Sequence, residues 1–279
     1  GRVVFIPAWD QVPADSDFLV TVHPPGGAAP VRQTVSRAVN EASIVLPSFK
    51  AVAPLELDLT MVIDTTGSMG DELEYIKSEM RSIARTVHER FPQVHQRYAL
   101  VFYRDEGDEY VTRRFEFTTA IDEVRRNLHA QRAAGGGDPP EAMHAGLEDA
   151  VKMQWRTGNT ARVLFLLADA PPHAQHMLRT LKAVNELRRK GVAIYPVACS
   201  GYDNPTEFVM RTSALLTGGQ FLFLTDDSGV GNAHAEPHLT NYHVERLDKL
   251  MIRMIAGELT GKRVPVDPND ILRTVGRPQ

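Results

Sequence analysis

Four runs of the sequence are apolar almost without interruption: "LDLTMVI" (57–63), "RYALVFYR" (97–104), "RVLFLLAD" (162–169) and "VAIYPVAC" (192–199). Each is too short for a helix of ordinary length and too apolar for a strand with one wet face, which suits strands buried on both sides. The segments between them have a different period. Leu73, Ile76, Met80, Ile83, Ala84 and Val87 recur at three and four, the mark of an amphipathic helix. "TAIDEVRRNLHAQ" reads as a helix with Thr119 as its N-cap and acids in its first turn. "EAMHAGLEDAVKM", "AQHMLRTLKAVNELRRK" and "PTEFVMRTSALLT" read as helices too, the second with basic residues in its last turn and Gly191 just beyond. "YVTRRFEF" is a strand placed to pair with "RYALVFYR", and "QFLFLT" is another strand. Tyr242 to Leu259 is expected as one helix, with Val244, Leu247, Leu250, Met251, Met254 and Ile255 on one face. Strands alternating with helices predict an α/β fold: a doubly wound, mostly parallel sheet flanked by helices. Ligands of such sheets sit at the carboxyl ends of the strands, so Asp64, Arg104-Asp105 and Asp169 are expected to converge.

The first 53 residues differ. "GRVVFIPA", "DFLVTVHPP", "VRQTVS" and "ASIVLP" are short β-rich runs punctuated by Pro, Gly and Asp. Four such strands do not make a stable fold by themselves, so they read as the end of an all-β module that begins earlier, as expected of a chain that starts without Met. The division expected is 1–53 as a partial β segment, 54–262 as the α/β domain and 263–279 as a tail. A net charge of −4 does not suggest nucleic acid, and the single cysteine, Cys199, has no disulfide partner within the chain. No apolar run approaches the ~20 residues that span a bilayer.

Asp64, Thr66 and Ser68 form D-x-T-x-S in the loop that leaves the first apolar strand. Alternate residues there point the same way, giving three oxygen donors, a set that suits Mg²⁺, Mn²⁺ or Ca²⁺ rather than zinc or copper. Two of the three are neutral hydroxyls, so an ion held by them keeps enough charge to accept a carboxylate from outside. Asp169 ends another apolar strand and supplies a second acid. The loop "GGGDPPE" supplies Asp138 and Glu141, with glycines that permit close backbone approach and Pro140 expected to open the next helix. The plain alternative is that Ser68 or Thr66 caps the helix, with Asp71 completing the box.

"VIDTTGSMGDEL" resembles the metal-ion-dependent adhesion site of the von Willebrand factor A domain family, and the resemblance runs from about Leu57 to Leu259. It implies that Thr66 and Ser68 bind Mg²⁺ directly, while Asp64 and Asp169 act largely through water. "GGGDPPEA" resembles the N-x-D-x-P-E loop of the integrin β-subunit branch, which implies that Glu141 binds the central ion. It also implies that Asp105, Asp138 and the Pro140 carbonyl hold a neighbouring cation such as Ca²⁺, although Gly136 stands where that pattern has Asn. "SMGDEL" resembles the S-M-K-D-D-L of the same branch, which makes Asp71 and Glu72 candidates for a third ion; acids in a helix's first turn need none. "GRVVFIPA" resembles a strand of transthyretin-like or carboxypeptidase-regulatory-like sandwiches. The function implied is a non-enzymatic, cation-dependent protein-binding or adhesion module whose partner presents an Asp or Glu side chain. In this family metal occupancy and the final helix can be coupled. The β module and the several cation sites point outside the cytoplasm, to a periplasmic, surface or secreted location.

Two rival readings follow from the same residues. "TGSMG" places Ser68 in a tight turn like a hydrolase nucleophile elbow, followed by Asp169 and by His234, His238 and His243 in hydrolase order, but Thr66 stands where the first glycine belongs. The other is a scaffold of the same fold that binds partners without metal. The polar loop from Asp226 to His243 reads as a solvated segment, and Met251 and Met254 as core.

Overall fold

The computed structural model describes residues 4–12, 16–24, 28–46, 52–199, 201–228, 234 and 239–277. The chain divides into two compact units, Phe5–Ala53 and the remainder, Pro54–Gln279 with Gly1–Val4. In the first, β1 (Phe18–Val22) pairs antiparallel with β2 (Val31–Val35), Phe18 opposite Val35. These are the strands among the described residues there. Of the other two expected strands, the described part of "GRVVFIPA" runs into turns, with the Ile6 amide donating to Asp10 Oδ2 at 3.0 Å, and the described part of "ASIVLP" is irregular.

The larger unit is built on six strands in the order β5-β4-β3-β6-β7-β8. They are β3 (Glu56–Asp64), β4 (His95–Tyr103), β5 (Thr112–Thr118), β6 (Thr160–Ala168), β7 (Val192–Ala198) and the two-residue β8 (Leu222–Phe223). β3 runs parallel to β4 and to β6, with Asp64 opposite Tyr103 and Ile63 opposite Leu167; only the edge strand β5 is antiparallel, paired with β4. The central strands are apolar throughout because both faces are covered. The helices are α1 (Gly70–Arg90), α2 (Ile121–His129), α3 (Met143–Lys152), α4 (Met177–Arg189), α5 (Asn204–Thr217) and α6 (Leu247–Thr260).

Leu57, Leu59, Met61 and Ile63 of β3 pack in one cluster with Leu73, Ile76, Met80 and Ile83 of α1 and Met251, Met254 and Ile255 of α6. Helix α3 lies close on the sheet at Gly146. A Cβ there would stand 2.8 Å from Tyr103 Cδ1 and 3.1 Å from Val62 Cγ1, so a larger residue would push α3 away. Tyr75 of α1 ties to α6: its hydroxyl donates to Asp248 Oδ1 at 3.1 Å and accepts from the Asp248 amide at 3.3 Å. Tyr75→Phe removes both bonds and is expected to cost about 1 kcal/mol, read as a lower urea midpoint with an unchanged slope.

Three expectations need correction. Tyr242 to Leu259 is not one helix: Tyr242–Glu245 is β9, and α6 begins at Leu247 after Arg246. The expected tail contains β10 (Ile271–Val275), which pairs antiparallel with β9. Thr119 does not cap α2; Ala120 occupies that position, and the Thr118 hydroxyl accepts from the Ala120 amide at 3.1 Å.

Candidate metal centre

At the carboxyl end of the sheet, β3 delivers Asp64, the β6 end delivers Asp169, and the segment before α3 delivers Glu141. All three carboxylates are buried, with residue exposures of 0%, 8% and 4%. Asp64 Oδ1 accepts from the Thr66 amide at 2.9 Å and from the Thr66 hydroxyl at 2.7 Å. The hydroxyl's proton is thereby turned toward Asp64, leaving its lone pairs for another partner. Asp64 Oδ2, Glu141 Oε2 and Asp169 Oδ1 are buried without a hydrogen-bond partner. Three orphaned acid oxygens in one place are rare in a native fold and call for an explanation, an ion among them.

The electrostatics agree. Burial, reinforced by Asp169, pushes the Asp64 carboxyl up to about 7. Burial, reinforced by Asp64, Asp105 and Asp169, pushes Glu141 up to about 8. Burial raises Asp169 as well, the nearby Ser68 hydroxyl offsetting part of the rise and Glu72 adding to it. Burial also raises the Tyr103 phenol well above its usual value beside Asp64.

The loops are held together by backbone and one buried cation. The Gly67 amide donates to the Gly135 carbonyl at 3.1 Å, and the Ala134 amide donates to the Thr65 carbonyl at 3.0 Å. Gly136 sits at φ +87°, and a Cβ on it would stand 2.6 Å from Glu141 Oε1 and 2.9 Å from Thr66 Cβ. The glycine loop therefore threads between two candidate ligands where no side chain fits. Buried Arg104 donates to the Thr65 carbonyl at 3.2 Å and to the Arg132 carbonyl at 2.7 Å, and lies over the Tyr110 ring. The Glu141 amide donates to the Pro171 carbonyl at 2.9 Å, and the Ala142 amide to the Arg104 carbonyl at 3.2 Å. Pro140 does not open α3, which starts at Met143; Glu141 is held instead by an extended bridge to Pro172.

The other candidate residues fall differently. Asp105 Oδ1 lies 2.5 Å from His173 Nε2, and the Asp105 amide donates to Asp108 Oδ2 at 3.0 Å. That same oxygen accepts from the Gly136 amide at 2.9 Å. Asp108, a residue the sequence did not single out, thus ties Asp105 to the glycine loop. Asp138 is exposed, and Pro140 is half-buried beside it. Asp71 and Glu72 diverge: Asp71 is half-buried, whereas Glu72 turns inward at 0% exposure and its Oε1 lies 3.6 Å from His234 Nε2. His234 also approaches Asp226, its amide donating to Asp226 Oδ1 at 2.7 Å. The Asp226–His243 loop is therefore not wholly solvated, since the His234 side chain is fully buried. His243 bonds Thr274 at 3.0 Å, and His238 lies outside the described residues. No described histidine hydrogen-bonds Ser68, as a hydrolase triad requires.

A family model of the von Willebrand factor A domain matches residues 58–224, more than half of the chain, and the chain belongs to that family. It is 32% identical over 130 residues to the alpha-protein kinase vwkA of Dictyostelium discoideum, covering 45% of this chain and 20% of that protein. It is 29% identical over 179 residues to von Willebrand factor A domain-containing protein 7 of Rattus norvegicus, covering 60% of this chain and 19% of that protein. It is 27% identical over 195 residues to mouse (Mus musculus) hemicentin-2, covering 68% of this chain and 4% of that protein. The chain thus spans a fifth or less of each of these relatives.

Because Asp64 and Glu141 are raised in the fold, the folded protein without metal holds protons that the unfolded chain has already lost between about pH 4 and pH 8. Their contribution to stability is present at low pH and lost as pH rises through about 7 and 8. In EDTA, a lower urea midpoint is expected at pH 8 than at pH 5. A divalent ion held here would need these groups ionised, so its binding should release protons and weaken as pH falls below about 8, read by calorimetry in buffers of different ionisation enthalpy.

Proposed function

We propose that this domain is a divalent-cation-dependent protein-binding module, with Thr66, Ser68 and Glu141 holding Mg²⁺ (or Mn²⁺ or Ca²⁺) and Asp64 and Asp169 behind them. The observation that carries the reading is the set of three buried carboxylates, each with an orphaned oxygen, with Thr66 on Asp64, Ser68 beside Asp169, and Glu141 and Thr66 both against Gly136. The donor set is all oxygen and fits a hard cation. When bound, the ion supplies an electrophilic position that an acidic side chain of a partner protein completes. The protein's own residues do the rest. Asp64 orients the Thr66 hydroxyl, Asp169 lies beside that of Ser68, the glycine loop excludes other side chains, and Arg104 holds the two loops in register.

The family match supports a protein-interaction role, and its recurrence as a small part of relatives with otherwise different names supports a transferable module. A location outside the cytoplasm belongs to the same proposal. A short peptide bearing one Glu, titrated into Mg²⁺-loaded protein by NMR, is expected to shift amides of residues 65–69, 134–138 and 141. EDTA or Glu141→Gln should abolish the shifts. Unchanged shifts in EDTA would refute the metal-dependent reading, and Ser68-dependent turnover of an activated ester would favour the hydrolase.

A further inference from the structure

The loops that build the carboxylate centre also gather a second, chemically different group. Glu106 follows Asp105 in the β4–β5 loop, His144 lies in the first turn of α3, and His176 precedes α4. His176 Nε2 is 2.9 Å from Glu106 Oε1, and His144 Nε2 is 3.8 Å from the same oxygen. One ligand atom from each residue lies within 4.8 Å of the others. The two imidazoles face each other, centroids 4.0 Å apart and planes inclined by 34°.

We propose that Glu106, His144 and His176 form a binding site for a Zn²⁺-class transition metal, distinct from the oxygen-lined centre. Two imidazoles and a carboxylate are a borderline-soft donor set, matched to zinc rather than magnesium. Bonds of about 2.0–2.2 Å in a tetrahedron put donor atoms roughly 3.4 Å apart, so closing on an ion needs Glu106 and His144 to move nearer and the two rings to splay out of their present 4.0 Å stack. Glu106 is exposed, which gives the ion a way in, and three protein ligands leave a fourth position open.

His144 is 2% exposed, its Nδ1 has no hydrogen-bond partner, and its Nε2 stands beyond hydrogen-bond reach of Glu106. A neutral imidazole protonated at Nδ1 keeps its Nε2 lone pair, on the side of Glu106, for a metal ion. Burial, with His176 and Arg179 nearby, lowers its pKa to about 4, so a lone pair is available at neutral pH. Arg179 Nη1 lies 3.4 Å from His176 Nδ1, a weak contact that ligation through Nε2 would displace. The arginine's charge is already met by Glu148, which accepts from it at 2.9 and 2.8 Å.

The test is calorimetric titration with Zn²⁺ in excess Mg²⁺, which keeps the oxygen centre filled, on wild type, His176→Ala, Glu106→Ala and Asp64→Ala. His176 and Glu106 are the outer members of the cluster, so their removal leaves the core intact, which a melting curve verifies. Wild type and Asp64→Ala should bind zinc alike, while His176→Ala and Glu106→Ala should bind it about 100-fold more weakly. That is at least the loss seen when a ligand's supporting partner is removed. Co²⁺ should give visible absorption bands in wild type that vanish in His176→Ala. The proposal is overturned if wild type takes up no stoichiometric zinc, if both variants bind as tightly as wild type, or if Asp64→Ala alone removes binding. The last outcome would assign zinc to the oxygen centre and Glu106–His176 to an ordinary ion pair.

Discussion

Saturating Mg²⁺ should raise the melting temperature at pH 8 by roughly 5–10 °C, and Asp64→Asn should abolish the rise while making the metal-free protein more stable than wild type. A ligand at about a hundred times its Kd contributes about 2.7 kcal/mol, and a unit of this size gains about 2–4 °C per kcal/mol. The opposite sign in the metal-free state follows from the site's charges. Asp64 is fully buried beside Asp169 and Glu141, and without an ion each resists the ionisation of the others. Asparagine keeps a carbonyl oxygen for the Thr66 amide and hydroxyl, and removes the charge. A structural acid would behave otherwise: its replacement would lower stability with or without Mg²⁺. Differential scanning fluorimetry of both proteins in EDTA and in Mg²⁺ separates the two cases.

Asp58→Ala should destabilise the fold by about 3–5 kcal/mol and leave Mg²⁺ affinity unchanged. Asp58 is at 0% exposure near the start of β3, opposite Arg97 of β4. It accepts from Arg97 Nε at 3.0 Å and Nη2 at 2.7 Å, and from the Arg156 amide and Nε, each at 2.7 Å. Removing the acid leaves Arg97 and Arg156 partly buried, with only Glu56 among the described residues, 3.1 Å from Arg156 Nη1, still paired to one of them, the costly way to break a buried ion pair. Although burial alone would raise it, the hydrogen bonds from Arg97 and Arg156 hold the Asp58 carboxyl below its usual value. Its contribution is therefore present above about pH 4 and lost as pH falls through the lowered value. Asp64 lies six residues along the same strand, roughly 20 Å away at 3.3 Å per residue, so the metal centre should not feel the change. Urea melts and Mg²⁺ calorimetry on one variant read both halves of the prediction.

The central sheet was legible because parallel strands covered on both faces must be apolar throughout, and few other structures demand that. Asp64 and Asp169 were legible for a related reason: a charge that abruptly ends such a run lies at the strand's carboxyl end. What escaped depends on non-local pairing. Val244, Leu247 and Met251 fit a helical period, yet Tyr242–Glu245 is drawn into a strand by β10, which lies some thirty residues further on. Asp71 and Glu72 are adjacent, and adjacent residues of a helix point about 100° apart. Their side chains leave in different directions: Asp71 is half-buried, and Glu72 goes inward to His234, which a loop delivers. Asp108 gave no sign because its role is to accept two backbone amides, and that depends on where the glycine loop folds.

The proposed ion would sit between Thr66, Ser68 and Glu141. The direct measurement is anomalous diffraction from crystals grown with millimolar Mn²⁺. A peak within bonding distance of the Thr66 and Ser68 hydroxyls and a Glu141 carboxylate oxygen, absent from Glu141→Ala crystals, is the predicted result. Well-ordered loops with no peak there, or a peak that survives Glu141→Ala unchanged, would contradict it.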